Sequence, residues 1–587
     1  MTTIPRPEFP RPQFFRGDDK WINLNGEWEF EFDFGKSGKQ RGFEKTDAPF
    51  TRRINVPFCP ESKLSGIEYV DFIPQCWYRR DLPVPDGFDA SRERLILHFG
   101  AVDYKATVYL NGTQTAEHTG GYTPFSVDLT DRLAERNTIT VCAFSDVRSD
   151  MQPTGKQSDD YKNHDCVYTR NTGIWQTVWL ERVPRSYIEK VAILPDVKNE
   201  KVVFRVTAAG DLSCGSASGS PLCGSQGEIT ARVSYKGAPV VEASAKLTGK
   251  NAVFEAAIPD PVLWDVGRGE LYDVRFTFGD DTLDSYFGMR SFEVDGDRVL
   301  LNGRPYFMRT VLDQGYYPDG VVTAPTDDDL RRDIELSMEA GFEGARLHMK
   351  VFEPRLIYHA DRAGYLLWGE YPSWGLNTGS DRAMEVMLPE WLAEVERDIS
   401  SPAIIGWCPN NESAPWRDER LFRTLYDATH AIDPTRPVID TSGYFHVVTD
   451  IFDTHHYEQD PARFAELYGA QKMAKGDFYI TDRRREHYDG QPYFVSEYGG
   501  TAFVSQGDRT SAWGYGEGVK DDEEFYERLR GLTEVLTSNP LICGYCYTQL
   551  TDVFQEVNGI YKFDRTPKFD PARLREIFGM EAAITKR

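Results

Sequence analysis

The sequence predicts a multidomain protein of β plus α/β class: two β-sandwiches, the second immunoglobulin-like, followed by a (β/α)8 barrel. Three observations predict it. The chain has 587 residues, several times the usual ~100–200 of one domain. Up to residue 292 it reads as short alternating apolar and polar segments between Gly, Pro, Asn and Asp turns. Beyond that point continuous apolar strands alternate with amphipathic helices, the pattern of a parallel sheet covered on both faces.

The first unit, residues 1–185, contains WEFEFDF, RLILHFG, KATVYLNG and TVWLERV, which have the alternation of sandwich strands. Residues 186–292 repeat it with KVVFRVTAA, EITARVSYKG and YDVRFTFGDD, at a length close to one immunoglobulin-like sandwich. The Gly/Ser-rich stretch at 213–228 reads as a flexible loop. From 293 to 587 eight strand candidates follow in order, in PYFMR, EGARLHMK, LLWGEY, AIIGWCPNNE, RPVIDTSG, IFDTHHY, PYFVSEYG and LICGYCYTQL. Eight such units in about 290 residues predict a (β/α)8 barrel. TDDDLRRD, 326 to 333, reads as a capped helix start with acids at the positive end of the dipole.

Composition narrows the partners. A formal charge of −25 repels phosphate backbones and anionic lipid, so a neutral small molecule fits better than nucleic acid or a membrane. No stretch approaches the roughly 18 continuous apolar residues of a membrane span, and the first residues have no apolar signal core. Nine scattered cysteines lack the spacing of a disulfide framework, and a cytoplasmic protein is expected. Cys543 and Cys546 form one CxxC without a second pair, so buried thiols are expected there and no metal. The Asn-x-Ser pattern at Asn411 to Ser413 then loses its meaning as a glycosylation site.

In a (β/α)8 barrel the ligand site lies at the C-terminal ends of the strands. Polar residues end several strands here: Arg346 and His348 the second, Glu370 the third, Asn411 and Glu412 the fourth, His455 to Tyr457 the sixth, Glu497 the seventh, Gln549 and Asp552 the eighth. Two glutamates on the fourth and seventh strands face each other across the mouth. Such a pair suits glycoside hydrolysis, in which one acid protonates the leaving oxygen and a second carboxylate attacks or activates water. The amide of Asn411 suits a sugar 2-hydroxyl, whose hydrogen bond strengthens in the transition state. The structural alternative is that each glutamate pairs with an arginine at the barrel rim.

With these residues in view, the chain resembles glycoside hydrolase family 2 over nearly its whole length. LNGEWEF, CWYRRDLPVP, HFGAVDYKATVYLNG, HTGGYTPFSVDLT and RNTGIWQTVWLE resemble the family's jelly-roll sugar-binding domain. FGMRSFEV, LLNGRPYFMR, RLHMK, WCPNNES and FVSEYGG resemble its barrel segments. The resemblance implies that Glu412 is the general acid/base, that Glu497 is the nucleophile, and that anomeric configuration is retained. Retention calls for carboxyl groups about 5 to 5.5 Å apart, and a raised pKa is expected of Glu412.

The resemblance also implies that Asp165 reaches from the jelly roll to bind sugar hydroxyls, that His348 hydrogen-bonds the sugar, and that Arg346 holds the nucleophile ionised. Tyr457 is placed near the nucleophile, and a one-residue register decides whether it, His456 or His455 faces the site. Trp374 and Tyr547 are candidate stacking walls, Tyr547 standing where the family usually has tryptophan. GEYPSWG lacks the acidic cluster of the metal-dependent β-galactosidases, so neither metal nor other cofactor is expected. The expected substrate is a small-molecule glycoside or oligosaccharide, with β-galactosidase as the leading activity. β-Glucuronidase is the runner-up, because Asn558 and Lys562 have the wrong spacing for the Asn-x-Lys pair that reads a uronate. β-Mannosidase, β-galactofuranosidase and an inactive carbohydrate-binding protein on the same fold stay open. Family members are often homo-oligomers.

Overall fold

Strict alternation builds the first sandwich. In the strand Gly26–Phe32 the side chains of Trp28, Phe30 and Phe32 are buried together, and they join Leu95, Leu97, Val141 and Leu180 in one core. The computed structural model describes residues 4–212, 227–504 and 512–586. One antiparallel sheet runs Trp21–Asn23, Val178–Pro184, Glu93–Phe99, Phe125–Asp128. Facing it is a six-stranded sheet in the order Arg52–Val56, Gly26–Phe32, Gln75–Leu82, Asn137–Phe144, Lys105–Leu110, Thr113–Thr119.

The second sandwich alternates even more regularly. Val202, Phe204, Val206 and Ala208 are buried along Lys201–Gly210 while the residues between them are half exposed. A three-stranded sheet, Ser186–Asp196, Lys201–Gly210 and Asn251–Ala257, packs on a four-stranded one centred on Glu228–Tyr235 and Tyr272–Phe278. Most of the Gly/Ser-rich loop expected at 213–228 lies outside the described residues.

Seven of the eight predicted barrel strands form one parallel sheet. In space they follow the order Ile404–Cys408, Leu366–Glu370, Gly344–Leu347, Met308–Asp313, Ile542–Thr548, Tyr493–Gly499, Phe452–His456. Every residue of Leu366–Glu370, Ile404–Cys408 and Tyr493–Gly499 is buried, as strands covered on both faces require. The fifth predicted strand closes the barrel without a continuous ladder. Residues 437–442 run beside the fourth strand and the loop after it, with bridges from Val438 to Trp407 and from Ser442 to Asn411. Their bonds to the fourth strand and the loop after it include Trp407 N–H to the Pro437 carbonyl, Ile439 N–H to the Trp407 carbonyl, and Ser442 N–H to the Asn410 carbonyl.

Helices pack outside this sheet. The one at Asp327–Glu339 starts with the expected cap: the Thr326 hydroxyl accepts from Asp329 N–H, and the Asp329 carboxylate accepts from Thr326 N–H. Among the described residues no helix is long and apolar enough to cross a membrane. Cys543 and Cys546 are buried and free, and burial pushes the Cys546 thiol up to about 12.

The N-terminal segment ties the three units together. Arg6 pairs with Glu353 of the barrel at 2.7 Å, and Arg16 bridges Glu181 of the first sandwich (2.9 Å) and Asp281 of the second (2.8 Å). A loop of the first sandwich, 150–172, reaches the barrel mouth. Thr154 N–H donates to the Trp374 carbonyl at 2.7 Å, and the Gln555 amide donates to the carbonyls of Asp165 and Val167. Gly155 permits this approach: its φ is +58°, and a Cβ there would meet the Met349 carbonyl at 2.5 Å.

Candidate active site

Glu412 owes its direction to the fifth segment. After the fourth strand ends at Cys408, Glu412 adopts φ +47°, and its N–H donates to the Ser442 carbonyl at 2.8 Å. A left-handed conformation costs an L-residue such as glutamate on the order of 1–2 kcal/mol. The bridge at Asn411 and Ser442 and this hydrogen bond hold it there. Ser413 pairs with the Thr441 hydroxyl at 3.0 Å, and Asp418 caps the next helix.

Glu497 is aimed by a bulge. Thr454 pairs with Val495 but His455 pairs with Glu497, and on the other side the eighth-strand register also breaks between Val495 and Tyr498. One extra residue at Ser496 re-aims the glutamate, which is what such bulges do beside sites. The Glu497 carboxylate accepts from the Arg346 guanidinium at 2.9 Å and from the Tyr457 hydroxyl. Tyr515 stacks face to face on Tyr457, with ring centroids 3.3 Å apart.

The two glutamates meet. One carboxylate oxygen of each, together with a ring nitrogen of His455, lie within 4.8 Å of one another. His455 stands between them, its Nδ1 2.7 Å from Glu412 and its Nε2 3.4 Å from Glu497. These three are the one grouping of metal-ligating side chains among the described residues, and Arg346 already supplies positive charge beside Glu497.

Arg346 organises the floor. It donates to Glu370 at 2.5 Å, to Glu497, to the Ser496 carbonyl at 3.1 Å and to Asn411 Oδ1 at 2.6 Å. Burial opposes its charge, but Glu370 and Glu497 hold its pKa well above the usual arginine value. With Oδ1 so engaged, the Asn411 amide is fixed and its NH2 has no partner among the described residues. His348 Nδ1 lies 2.9 Å from Glu370, and burial, then Lys156 and Arg346, hold its pKa well below 6.5.

Other expected residues fall elsewhere. Side chains alternate along the sixth strand, so with His455 turned inward His456 turns outward, against the rings of Phe464, Tyr468 and Tyr479. His456 is therefore corrected to His455 as the site histidine of this strand. Tyr547 is also corrected: it is buried between Phe578 and Tyr498 in the strand–helix layer and offers no wall. Asp165 does not join the cluster, because its carboxylate is turned to solvent and contacts His164 at 3.1 Å. Trp374 is half-buried, and its indole N–H donates to the Asn411 carbonyl at 3.2 Å.

Sequence reasoning missed Lys156. This buried lysine of the first sandwich places its ammonium 3.8 Å from the centre of the Trp374 ring. It has no ion-pair partner within 4 Å among the described residues. Burial opposes its charge, but Cys166, Glu556, Glu412 and Glu497 raise its pKa. No local pattern marks it, since it meets Trp374 from 218 positions away in the chain. Tyr444, also missed, lies near enough to Glu412 to help lower its pKa. Asn558 is buried against Gln549 and Glu556, and Lys562 is exposed.

These surroundings overturn the expected direction at Glu412. Burial alone raises its pKa, yet the hydrogen bond and charge of His455, then Lys156 and Tyr444, outweigh burial and lower it.

Two carboxylates of unlike surroundings at the C-terminal mouth of a (β/α)8 barrel, beneath a loop from a β-sandwich, define a glycosidase. The comparisons agree. Residues 53–177 match the glycosyl hydrolase 2 galactose-binding domain-like model, and residues 293–517 match the glycosyl hydrolases family 2 TIM barrel domain. The chain belongs to glycoside hydrolase family 2.

Among its relatives, a β-glucuronidase of Paenibacillus borealis is 25% identical over 535 residues, covering 82% of this chain and 83% of that protein. A β-galactosidase of Thermoanaerobacterium thermosulfurigenes is 26% identical over 514 residues, covering 83% of this chain and 66% of that enzyme. In fold, the chain is similar to the Bifidobacterium dentium β-glucuronidase complexed with coumarin-3-O-glucuronide. The TM-score is 0.78 at 21% identity, over 96% of this chain and 97% of that one.

Proposed function

We propose that the protein is a retaining, exo-acting β-glycosidase working by double displacement. The observation that carries this is the approach of the Glu412 and Glu497 carboxylates to within 4.8 Å. Retaining enzymes space their carboxyl groups about 5–5.5 Å apart, whereas inverting ones leave about 6.5–9.5 Å for a water. Glu497, ion-paired with Arg346, attacks the anomeric carbon. Glu412 protonates the departing glycosidic oxygen, and a glycosyl ester on Glu497 forms. Water then attacks that carbon, Glu412 takes its proton, and the ester bond to Glu497 breaks. The free NH2 of Asn411 donates to the 2-hydroxyl, and the sandwich loop over the mouth limits the site to a terminal sugar.

A β-glucuronide is the sugar best supported, because Lys156 is a charged side chain at the site without an ion-pair partner among the described residues and a β-glucuronidase is among the relatives. A β-galactoside is the second reading. Glu556 lies within electrostatic reach of the same lysine and opposes a further carboxylate. Initial rates on nitrophenyl β-glucuronide, β-galactoside, β-mannoside, arabinoside and galactofuranoside test both. Turnover is expected on the glucuronide above the rest; a galactoside preference selects the second reading, and no turnover on any sugar sinks the enzyme reading.

A further inference from the structure

A cavity of about 390 Å3 opens beside Glu412, and its position is informative. Its lining includes Trp374, Asn411, Glu412 and Trp416 but not Glu497. In a retaining reaction the acid faces the departing oxygen while the nucleophile lies on the opposite face of the sugar. Space that adjoins Glu412 alone is therefore on the leaving-group side.

Trp416 gives that space its character. At 75% it is the most exposed large apolar side chain among the described residues. Its backbone is nonetheless pinned. Arg417 N–H closes a turn onto the Ala414 carbonyl at 3.2 Å, and Asp418 N–H donates to the Thr378 carbonyl at 2.9 Å. Gly379 packs beneath, where a Cβ would come within 2.9 Å of the Trp416 carbonyl. The indole is thus held into solvent by an ordered loop, so a ligand that covers it has little backbone ordering left to supply.

The rest of the wall is polar. Asp150 of the first sandwich, Asn377, Thr378 and Asn410 line it, and Asn377 N–H donates to the Asp150 carbonyl at 2.7 Å. One flat aromatic face among side-chain amides, a hydroxyl and a carboxylate matches a pyranose, which offers a C–H face on one side and hydroxyls around its edge. An alkyl or aryl group would leave those polar groups desolvated and unpaired. The volume lies within the ~300–1,000 Å3 of small-molecule sites.

We propose that this cavity is the leaving-group subsite, that it binds a carbohydrate with Trp416 as its platform, and that the substrate is a di- or oligosaccharide. The inference rests on the retaining-glycosidase reading. The test compares three leaving groups on the sugar that the nitrophenyl panel selects: fluoride, too small to reach Trp416; nitrophenol; and glucose in a β-1,4-linked disaccharide. In Trp416→Ala the ratio of kcat/KM for disaccharide over glycosyl fluoride is expected to fall about tenfold, which corresponds to ~1.4 kcal/mol of lost binding. An unaltered ratio overturns the proposal. A larger loss on the nitrophenyl glycoside than on the disaccharide overturns its carbohydrate part.

Binding without turnover separates this from failure of the catalytic reading. In Glu497→Ala, the disaccharide is expected to alter tryptophan fluorescence saturably, and adding Trp416→Ala is expected to weaken that binding about tenfold. Equal binding with and without Trp416 counts against the subsite whether or not the enzyme hydrolyses the sugar.

Discussion

Glu497 and Glu412 have the same side chain at the same barrel mouth, yet their surroundings differ in kind. Glu497 is closed in by Arg346, Tyr457 and His455 and rests in an all-buried strand. Glu412 hangs from a left-handed turn beyond its strand, keeps 19% of its side chain exposed, and borders the cavity. The difference teaches how one residue type is given two roles. Fixed donors aim one carboxylate at the sugar, while an open edge gives the other access to substrate and water.

Replacing each glutamate by alanine is expected to have the largest effect. Glu497→Ala is expected to lose on the order of 10^5-fold in kcat on every substrate, in the range known for removed nucleophiles. Azide is expected to restore turnover with a glycosyl azide of inverted configuration. Glu412→Ala is expected to lose about 10^2–10^4-fold on a disaccharide and far less on a dinitrophenyl glycoside, whose leaving oxygen needs no proton. Equal losses on the two substrates would remove Glu412 from the acid role. Steady-state kinetics on both substrates checks these outcomes.

His455→Asn sharpens the comparison with a smaller effect. Besides Glu412 and Glu497, the ring meets Arg346, Ser442 and Tyr444 and feels the charge of Asp453. Burial raises the Glu412 pKa and His455 is the first of the groups that lower it, so without His455 the pKa rises. The alkaline limb of kcat/KM, where the acid loses its proton, is expected to move to higher pH, with less than a tenfold loss at the optimum. A limb that moves to lower pH would place the acid's proton on His455.

The architecture was legible because its signals are local. Alternation marked the sandwich strands, continuous apolar runs marked the barrel strands, and the polar residues ending those runs included Arg346, His348, Asn411, Glu412 and Glu497. What stayed hidden depends on long-range geometry. The bulge at Ser496 shifts the pairing beside His455, and the HHY run holds no sign of which member turns inward. Tyr547 alternates away from the mouth although it stands at a strand end. The loop that was expected to deliver Asp165 delivers Lys156 instead, through a contact with Trp374 that only folding creates. The lowered pKa of Glu412 was illegible for the same reason, since it depends on His455, Lys156 and Tyr444 converging from separate segments.

In double displacement the two carboxylates act from opposite faces of one sugar through a covalent intermediate. This is tested most directly by the proton NMR spectrum of the first sugar released from a nitrophenyl β-glycoside, recorded before mutarotation. The β-anomer is expected as the initial product. An initial α-anomer would show a single displacement by water and would contradict double displacement.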